Sequence, residues 1–313
     1  MKNFIKYLIF TLFFPISLIG IINSIIDQRA YINKNLIKSF EKSLREQGSQ
    51  SAYFNLPERK LFRIRINYFN EYSSSNNVII GGSKVLLVGT NTNYKIFNTG
   101  LSNFTFNDLK IVSKEFIDLK IKIDTLYINI DAVFFNKKTN LDQWKNFSDS
   151  VRPSYIRRLF SIEYLIENLT FPKFRKWDGN DTDYVKFRDG SIRYHKRDRN
   201  ITHSDIILDQ MKNNLTEISL DKKLINDIKK ILFDLNANHS ILVLSPYNPL
   251  IYSKLISEYP IINLLENEIN LLENEKIGII GSYNPNKYNF SKEYFYDQVH
   301  LNEKGIKILY EKK

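Results

Sequence analysis

The chain has 313 residues, 43% hydrophobic and 25% charged, enough for one large domain or two small ones and too apolar for a mainly disordered chain. It contains no cysteine, which excludes disulfide frameworks, thiol nucleophiles, cysteine zinc sites and cysteine-ligated iron–sulfur clusters together. Lys and Arg number 45 against 34 Asp and Glu, and the formal charge of +11 favours anionic partners: nucleic acid, acidic glycans or lipid headgroups.

In chain order, the first predicted element is a membrane helix. Tyr7 to Ile26 carries no charged residue, and Leu, Ile and Phe dominate it. At ~1.5 Å per residue such a helix spans about 30 Å, the thickness of a hydrocarbon core. Lys2 and Lys6 precede the run, Asp27 and Arg29 close it, and no small-x-small cleavage site follows. Residues 1–26 are therefore expected to form an uncleaved single-pass anchor. Lys34, Lys38, Lys42 and Arg45 oppose the positive-inside rule. Long folded domains translocate regardless of such charge, so the rest is expected outside the cytoplasm, in the periplasm or at the cell surface.

Residues 27–75 read as a linker with a helix over Asn35–Glu46. From 76 to 313 short apolar strands alternate with helices. The predicted strands are Val78–Ile80, Tyr94–Phe97, Thr125–Ile130, Ser240–Leu244 and Ile277–Ile280; Phe106–Leu119 and Leu220–Leu235 have helical spacing. Short β-branched-rich runs joined by helical crossovers imply a three-layer α/β sandwich around a parallel, flavodoxin-like sheet. The stretch from about 136 to 214 breaks the alternation. It holds a helical segment near Tyr155–Asn168, and Asp189-Gly190 between extended runs signals a hairpin. This reads as an insertion over the strand ends, where α/β folds bind substrates.

Two short motifs carry possible chemistry. Gly81-Gly82-Ser83 follows the first strand, where glycines allow a sharp turn that presents a serine at the strand's carboxyl end. A glycine-serine turn is by itself commonly just a turn, and Val85 replaces the second glycine of the G-x-S-x-G elbow. Asp297-Gln-Val-His300 precedes the last helix, where the carboxylate can hold one ring nitrogen and leave Nε2 free as a base. Alone, this spacing also suits a solvated histidine at a helix start. His195, His203 and His239 read as surface or turn residues, and no cluster has metal-ligand spacing. The basic run Arg188–Arg199 is a solvated face or an anion-binding strip, with Arg193 and Arg197 as candidate substrate contacts. No phosphate-binding loop and no nucleic-acid-binding scaffold is present, so neither a cofactor nor nucleic acid is expected.

Taken together, a serine after the first strand and Asp-x-x-His-x-Asn-x-x-Gly before the last helix resemble the SGNH (GDSL-like) hydrolase superfamily. Asp297, His300, Asn302 and Gly305 match its last block position by position, and Asn98-Thr-Gly100 resembles its second block. Gly82 stands where the family has an aspartate, as in its membrane-anchored branches. The third block, Gly-x-Asn-Asp, is missing; Asn129-Ile-Asp131-Ala-Val-Phe-Phe stands there instead. The resemblance implies a Ser83–His300–Asp297 triad with oxyanion donors from the Ser83 and Gly100 N–H groups. Asn103, Asn129 and Asn136 remain open for the third donor; Asn103 completes the expected set. It further implies a membrane-anchored O-acyltransferase or esterase for acyl, foremost acetyl, esters of cell-envelope or extracellular polysaccharide. A multi-spanning membrane acyltransferase would be its partner. The rival expectation is a catalytically weak or inactive polysaccharide-binding or assembly protein of the same fold.

Overall fold

The computed structural model describes residues 2–27, 34–46, 50–51, 57–72, 75–89, 92, 94–136, 144, 153–170, 184–194 and 215–311. The chain forms two compact units, residues 1–64 with 144–182 and residues 65–143 with 183–313. This division differs from an anchor, a linker and one domain. Residues 144–182 of the expected insertion fall in the first unit, and the hairpin belongs to the unit that holds the sheet.

The first unit contains α1 (Lys2–Ile26), α2 (Asn35–Glu46), the two-residue extended segment β1 (Gln50–Ser51) and most of α3 (Glu58–Asn67), followed after a break by α6 (Pro153–Leu159) and α7 (Ile162–Thr170). The expected membrane anchor is not supported: among the described residues no helix is long and apolar enough to cross a membrane. The single-pass, extracytoplasmic placement that rested on it falls with it. The carboxyl-terminal half of α1 instead packs through polar contacts that an isolated membrane helix would lack. Asn23 is buried and donates to the carbonyls of Leu159 at 2.6 Å and Ser161 at 3.2 Å. Asn168 donates to the Asn23 side chain at 3.0 Å, and the Tyr164 hydroxyl donates to Asp27 at 2.7 Å. A side chain at Gly20 would strike the Phe160 ring, so the missing Cβ permits this approach.

The second unit is α/β. It begins in the last turn of α3, and α4 (Phe69–Tyr72) follows. Five strands then form a parallel sheet: β2 (Val78–Ile80), β3 (Phe97–Asn98), β4 (Thr125–Asn129), β7 (His239–Leu244) and β8 (Ile277–Gly281), in the order β3-β2-β4-β7-β8. Val78, Ile79 and Ile80 are all fully buried, as a strand covered on both faces requires. Between the strands run α5 (Phe106–Asp118), α8 (Lys222–Leu235), α9 (Pro249–Glu258) and α10 (Ile261–Asn270), and α11 (Glu303–Glu311) follows β8. Ile306 and Leu309 of α11 join Ile79, Val85, Ile96 and Val243 in one buried cluster. The helices flank the sheet as the outer layers of a sandwich.

The order of the strands locates the site. From β2 the chain moves outward to β3, then returns past β2 to reach β4. Connections on the two sides of β2 therefore diverge, and a crevice opens at its carboxyl end. Ser83 stands at that point. The expected third-strand and helix limits hold to within a residue or two, but the expected strand Tyr94–Phe97 is shifted to Phe97–Asn98. Tyr94 and Ile96 pack against the cluster that includes α11 instead of pairing along β2. The expected helix near Tyr155–Asn168 is two helices, broken at Phe160–Ser161.

Candidate active site

Ser83 does not begin an α-helix; it opens a single 3-10 turn over Ser83–Val85. Of the two glycines that precede it, only Gly81 is required by the packing. A Cβ at Gly81 would lie 2.8 Å from the Cβ of Asn129, so only hydrogen fits between β2 and β4 here. Gly82 has an extended backbone, φ −84 and ψ −161, and an added Cβ there would make only ordinary contact with Phe104 at 3.4 Å. The serine N–H makes no hydrogen bond among the described residues.

The loop after β8 supplies the histidine. It starts at the far edge of the sheet and runs back across the strand ends. Buried Glu266 of α10 holds its first residues by accepting from the Ser282 hydroxyl at 2.6 Å and the Tyr283 N–H at 3.0 Å; the Lys287 ammonium adds a third contact at 2.8 Å. The Tyr283 hydroxyl then donates to the Ile130 carbonyl beyond β4 at 2.9 Å. Asn248 grips the other end, with its backbone N–H on the Gln298 carbonyl at 2.9 Å and its amide on the Asp297 carbonyl at 3.1 Å. Asn302 caps α11 by accepting the Gly305 N–H at 3.0 Å. Gly305 is required because a Cβ there would lie 2.4 Å from the Tyr294 carbonyl. These contacts give the Asn-x-x-Gly spacing a structural reason of its own.

These two loops bring Ser83, His300 and Asp297 into one hydrogen-bonded chain. The Ser83 Oγ lies 2.7 Å from His300 Nε2, and His300 Nδ1 lies 2.8 Å and 2.9 Å from the two oxygens of Asp297. A carboxylate accepts, so Nδ1 carries the proton and Nε2 presents its lone pair to the serine hydroxyl. Asp297 also accepts the backbone N–H groups of Val299 at 3.0 Å and His300 at 2.9 Å through Oδ1. Burial alone would push its carboxyl up, but the hydrogen bond and charge of His300, with the two N–H donors, outweigh burial and hold it well below the usual carboxylate range.

The remaining sequence-derived positions divide. The Gly100 N–H is not presented to Ser83: it donates to Oδ1 of Asn98 at 2.7 Å, and Gly100 does not line the pocket beside the serine. The Asn98 amide in turn donates to the Val85 and Val88 carbonyls at 2.6 and 2.7 Å, so this side chain ties the serine turn to the second loop. Of the three asparagines, Asn103 lines the Ser83 pocket, with its backbone in the left-handed region at φ 52. Asn129 turns its amide to Val243 and Ser245, and Asn136 is buried where its backbone bridges Ile218. Arg193 does not line the pocket; its guanidinium stacks 5.7 Å from the Phe187 ring of its own hairpin. Arg197, His195 and His203 lie outside the described residues.

The hairpin carries the described part of the basic run, whose residues 195–199 lie outside the described residues. Its strands β5 (Tyr184–Phe187) and β6 (Ile192–Tyr194) are antiparallel, with Asp189-Gly190 at the turn. The tip braces the serine turn from behind: the Ile192 N–H donates to the Leu86 carbonyl at 2.7 Å.

Sequence reasoning missed Lys84, Asp131 and Tyr247. The Lys84 ammonium pairs with Asp131 at 2.8 Å and lies 4.5 Å from the centre of the Tyr247 ring. All three line the pocket of about 190 Å³ beside Ser83, together with Asn103, Phe104, Val133, Phe134 and Leu215. An aspartate just past a strand end was the one available signal. Among the described residues, no group of three or more acidic or histidine side chains is placed to hold a metal ion. No protein-family model, no curated protein and no solved structure matches this chain.

Proposed function

We propose that the protein is an SGNH-like serine enzyme that moves short acyl groups, foremost acetyl, between ester oxygen and a hydroxyl or water. The observation that carries this reading is the Ser83–His300–Asp297 chain, whose two hydrogen bonds are short and continuous. In the mechanism, Ser83 Oγ attacks the acyl carbonyl while His300 Nε2 takes its proton. The imidazolium that forms is stabilised by Asp297. Collapse of the tetrahedral adduct expels the alcohol, which receives the proton from His300, and leaves the acyl group on Ser83. A second hydroxyl, or water, then attacks with His300 again as base. The Ser83 N–H is one oxyanion donor, and the Asn103 amide is the best-placed side chain for another.

Polysaccharide is the acceptor class that the resemblance implies, and the membrane acyltransferase partner belongs to the same expectation. Hydrolysis of p-nitrophenyl acetate, abolished in Ser83→Ala, tests the enzyme reading. An acetylated glycan product formed at the expense of free acetate separates transfer from hydrolysis. The second reading, a binding or assembly protein with a weak site, is favoured by one observation: Asn98 occupies the Gly100 N–H. Absence of acyl release, with retained glycan binding, would select it.

A further inference from the structure

We propose that Lys84, Asp131 and Tyr247 form a subsite for a neutral, hydroxyl-rich group, such as a sugar ring bearing the ester, in the pocket beside Ser83. The assignment of the ester to this group rests on the reading of Ser83 as nucleophile; the binding chemistry does not.

The Lys84 side chain is only 6% exposed and that of Asp131 20%. Bringing such a pair out of water is expensive, and apolar residues of similar volume are often as stable or more so. Packing alone therefore gives no reason for it here. An ammonium has three donors. Asp131 pairs with the ammonium at 2.8 Å, the Tyr247 ring covers it, and it makes no hydrogen bond to another acceptor among the described residues. Asp131 is held in place by the Val133 N–H on its other oxygen, at 3.2 Å. The Tyr247 hydroxyl is buried and has no hydrogen-bond partner among the described residues, a condition that native interiors rarely leave unanswered. Burial, with the nearby Asp131 charge, pushes that hydroxyl well above its ordinary pKa, so it remains a donor.

Donors with capacity left thus meet an aromatic and apolar wall of Phe104, Phe134 and Leu215. The charges of Lys84 and Asp131 cancel, which selects hydroxyl oxygens over phosphate or carboxylate. At about 190 Å³ the space is below the ~300–1,000 Å³ of drug-sized sites, so it holds one ring or a short acyl group.

The full chain carrying Ser83→Ala permits binding to be read without turnover. Ligand-detected NMR with 6-O-acetylglucose should show binding, while ethyl acetate and glucose 6-phosphate should not bind. Adding Lys84→Met should weaken binding about ten-fold or more, and adding Tyr247→Phe about three-fold. Unchanged affinity in a folded Lys84→Met chain overturns the proposal. So does equal binding of the ring-free ester or the phosphate, or no binding of the acetyl sugar at all. Should Lys84→Met not fold, Tyr247→Phe decides alone, since it removes one oxygen and keeps the ring. Wild-type chain is assayed in parallel on p-nitrophenyl acetate. No hydrolysis with Lys84-dependent binding sinks the enzymatic reading and leaves the subsite; hydrolysis without that dependence does the reverse.

Discussion

The carbonyl oxygen of Asp189 accepts the backbone N–H of Asn98 at 2.6 Å. Through this bond the tip of a hairpin far along the chain reaches the residue whose side chain ties the serine turn to the neighbouring loop. Asn98 is wholly buried, and its amide oxygen and nitrogen are both engaged.

Gly190→Ala should therefore injure the site from behind. Gly190 has φ +93, and an added Cβ would lie 2.0 Å from the Asn98 carbonyl. The expected cost is about 1–3 kcal/mol from the backbone strain, with further loss as the hairpin tip retreats. Urea unfolding measures the first part, and acyl release from p-nitrophenyl acetate the second. An unchanged midpoint would show that the tip does not brace Asn98.

Ser83→Ala and His300→Ala should each reduce kcat on p-nitrophenyl acetate by about 10⁴–10⁶-fold while leaving unfolding midpoints close to wild type. Both side chains sit at a partly open cleft and carry little of the core. Asp297→Asn should reduce kcat about 10⁴-fold, because an amide that donates to Nδ1 selects the wrong tautomer. Activity within ten-fold of wild type in any of the three would remove the triad from the mechanism.

Stability should carry the signature of Asp297 at acid pH. Its folded-state carboxyl is held below the ordinary value of ~3.9, so the unfolded chain binds the proton first as pH falls. The stabilisation is fully present above that ordinary value and is lost as pH drops through the lower folded value. The unfolding free energy of wild type minus that of Asp297→Asn should accordingly be flat above about pH 5 and shrink below about pH 4. A difference that stays constant down to pH 2 would contradict the assigned hydrogen bonds.

Glu266→Ala should loosen the path to His300 without touching it. The carboxylate anchors Ser282, Tyr283 and Lys287 at the start of the loop. Loss of charged hydrogen bonds to two buried donors is expected to destabilise the unit by about 2–4 kcal/mol. In the fraction that remains folded, kcat and the rate of Ser83 labelling by a fluorophosphonate should fall together. Unaltered stability and kcat would show that the loop is held elsewhere.

The sequence made the strand ends legible because the two motifs lie where apolar runs stop, and a parallel sheet gathers all such ends on one edge. The Asp297–His300 contact is local and follows from spacing. What stayed hidden depends on side chains that fold back or meet across the sheet. Gly100 has an N–H whatever its neighbours, but in the fold Asn98, two residues earlier, claims it. Lys84, Asp131 and Tyr247 come from the ends of three different strands and share no periodicity. Tyr94 and Ile96 have strand-like composition, yet burial against the cluster on the α11 side outweighs pairing. In α1 a uniformly apolar run drew attention from Asn23 and Asp27, the residues that hold it to α6 and α7.

Ser83 and His300 are 217 residues apart in sequence, and their hydrogen bond joins the first strand of the sheet to a loop beyond the last. Bonds of such separation form late, because most of the intervening chain must be ordered before the ends can meet. During synthesis Ser83 emerges long before its hydrogen-bond partner His300. A chain stalled or clipped before His300 would leave the Ser83 hydroxyl without its hydrogen-bond partner. Under the proposed reading, labelling of Ser83 by a fluorophosphonate should therefore report that the strands between it and His300 have folded.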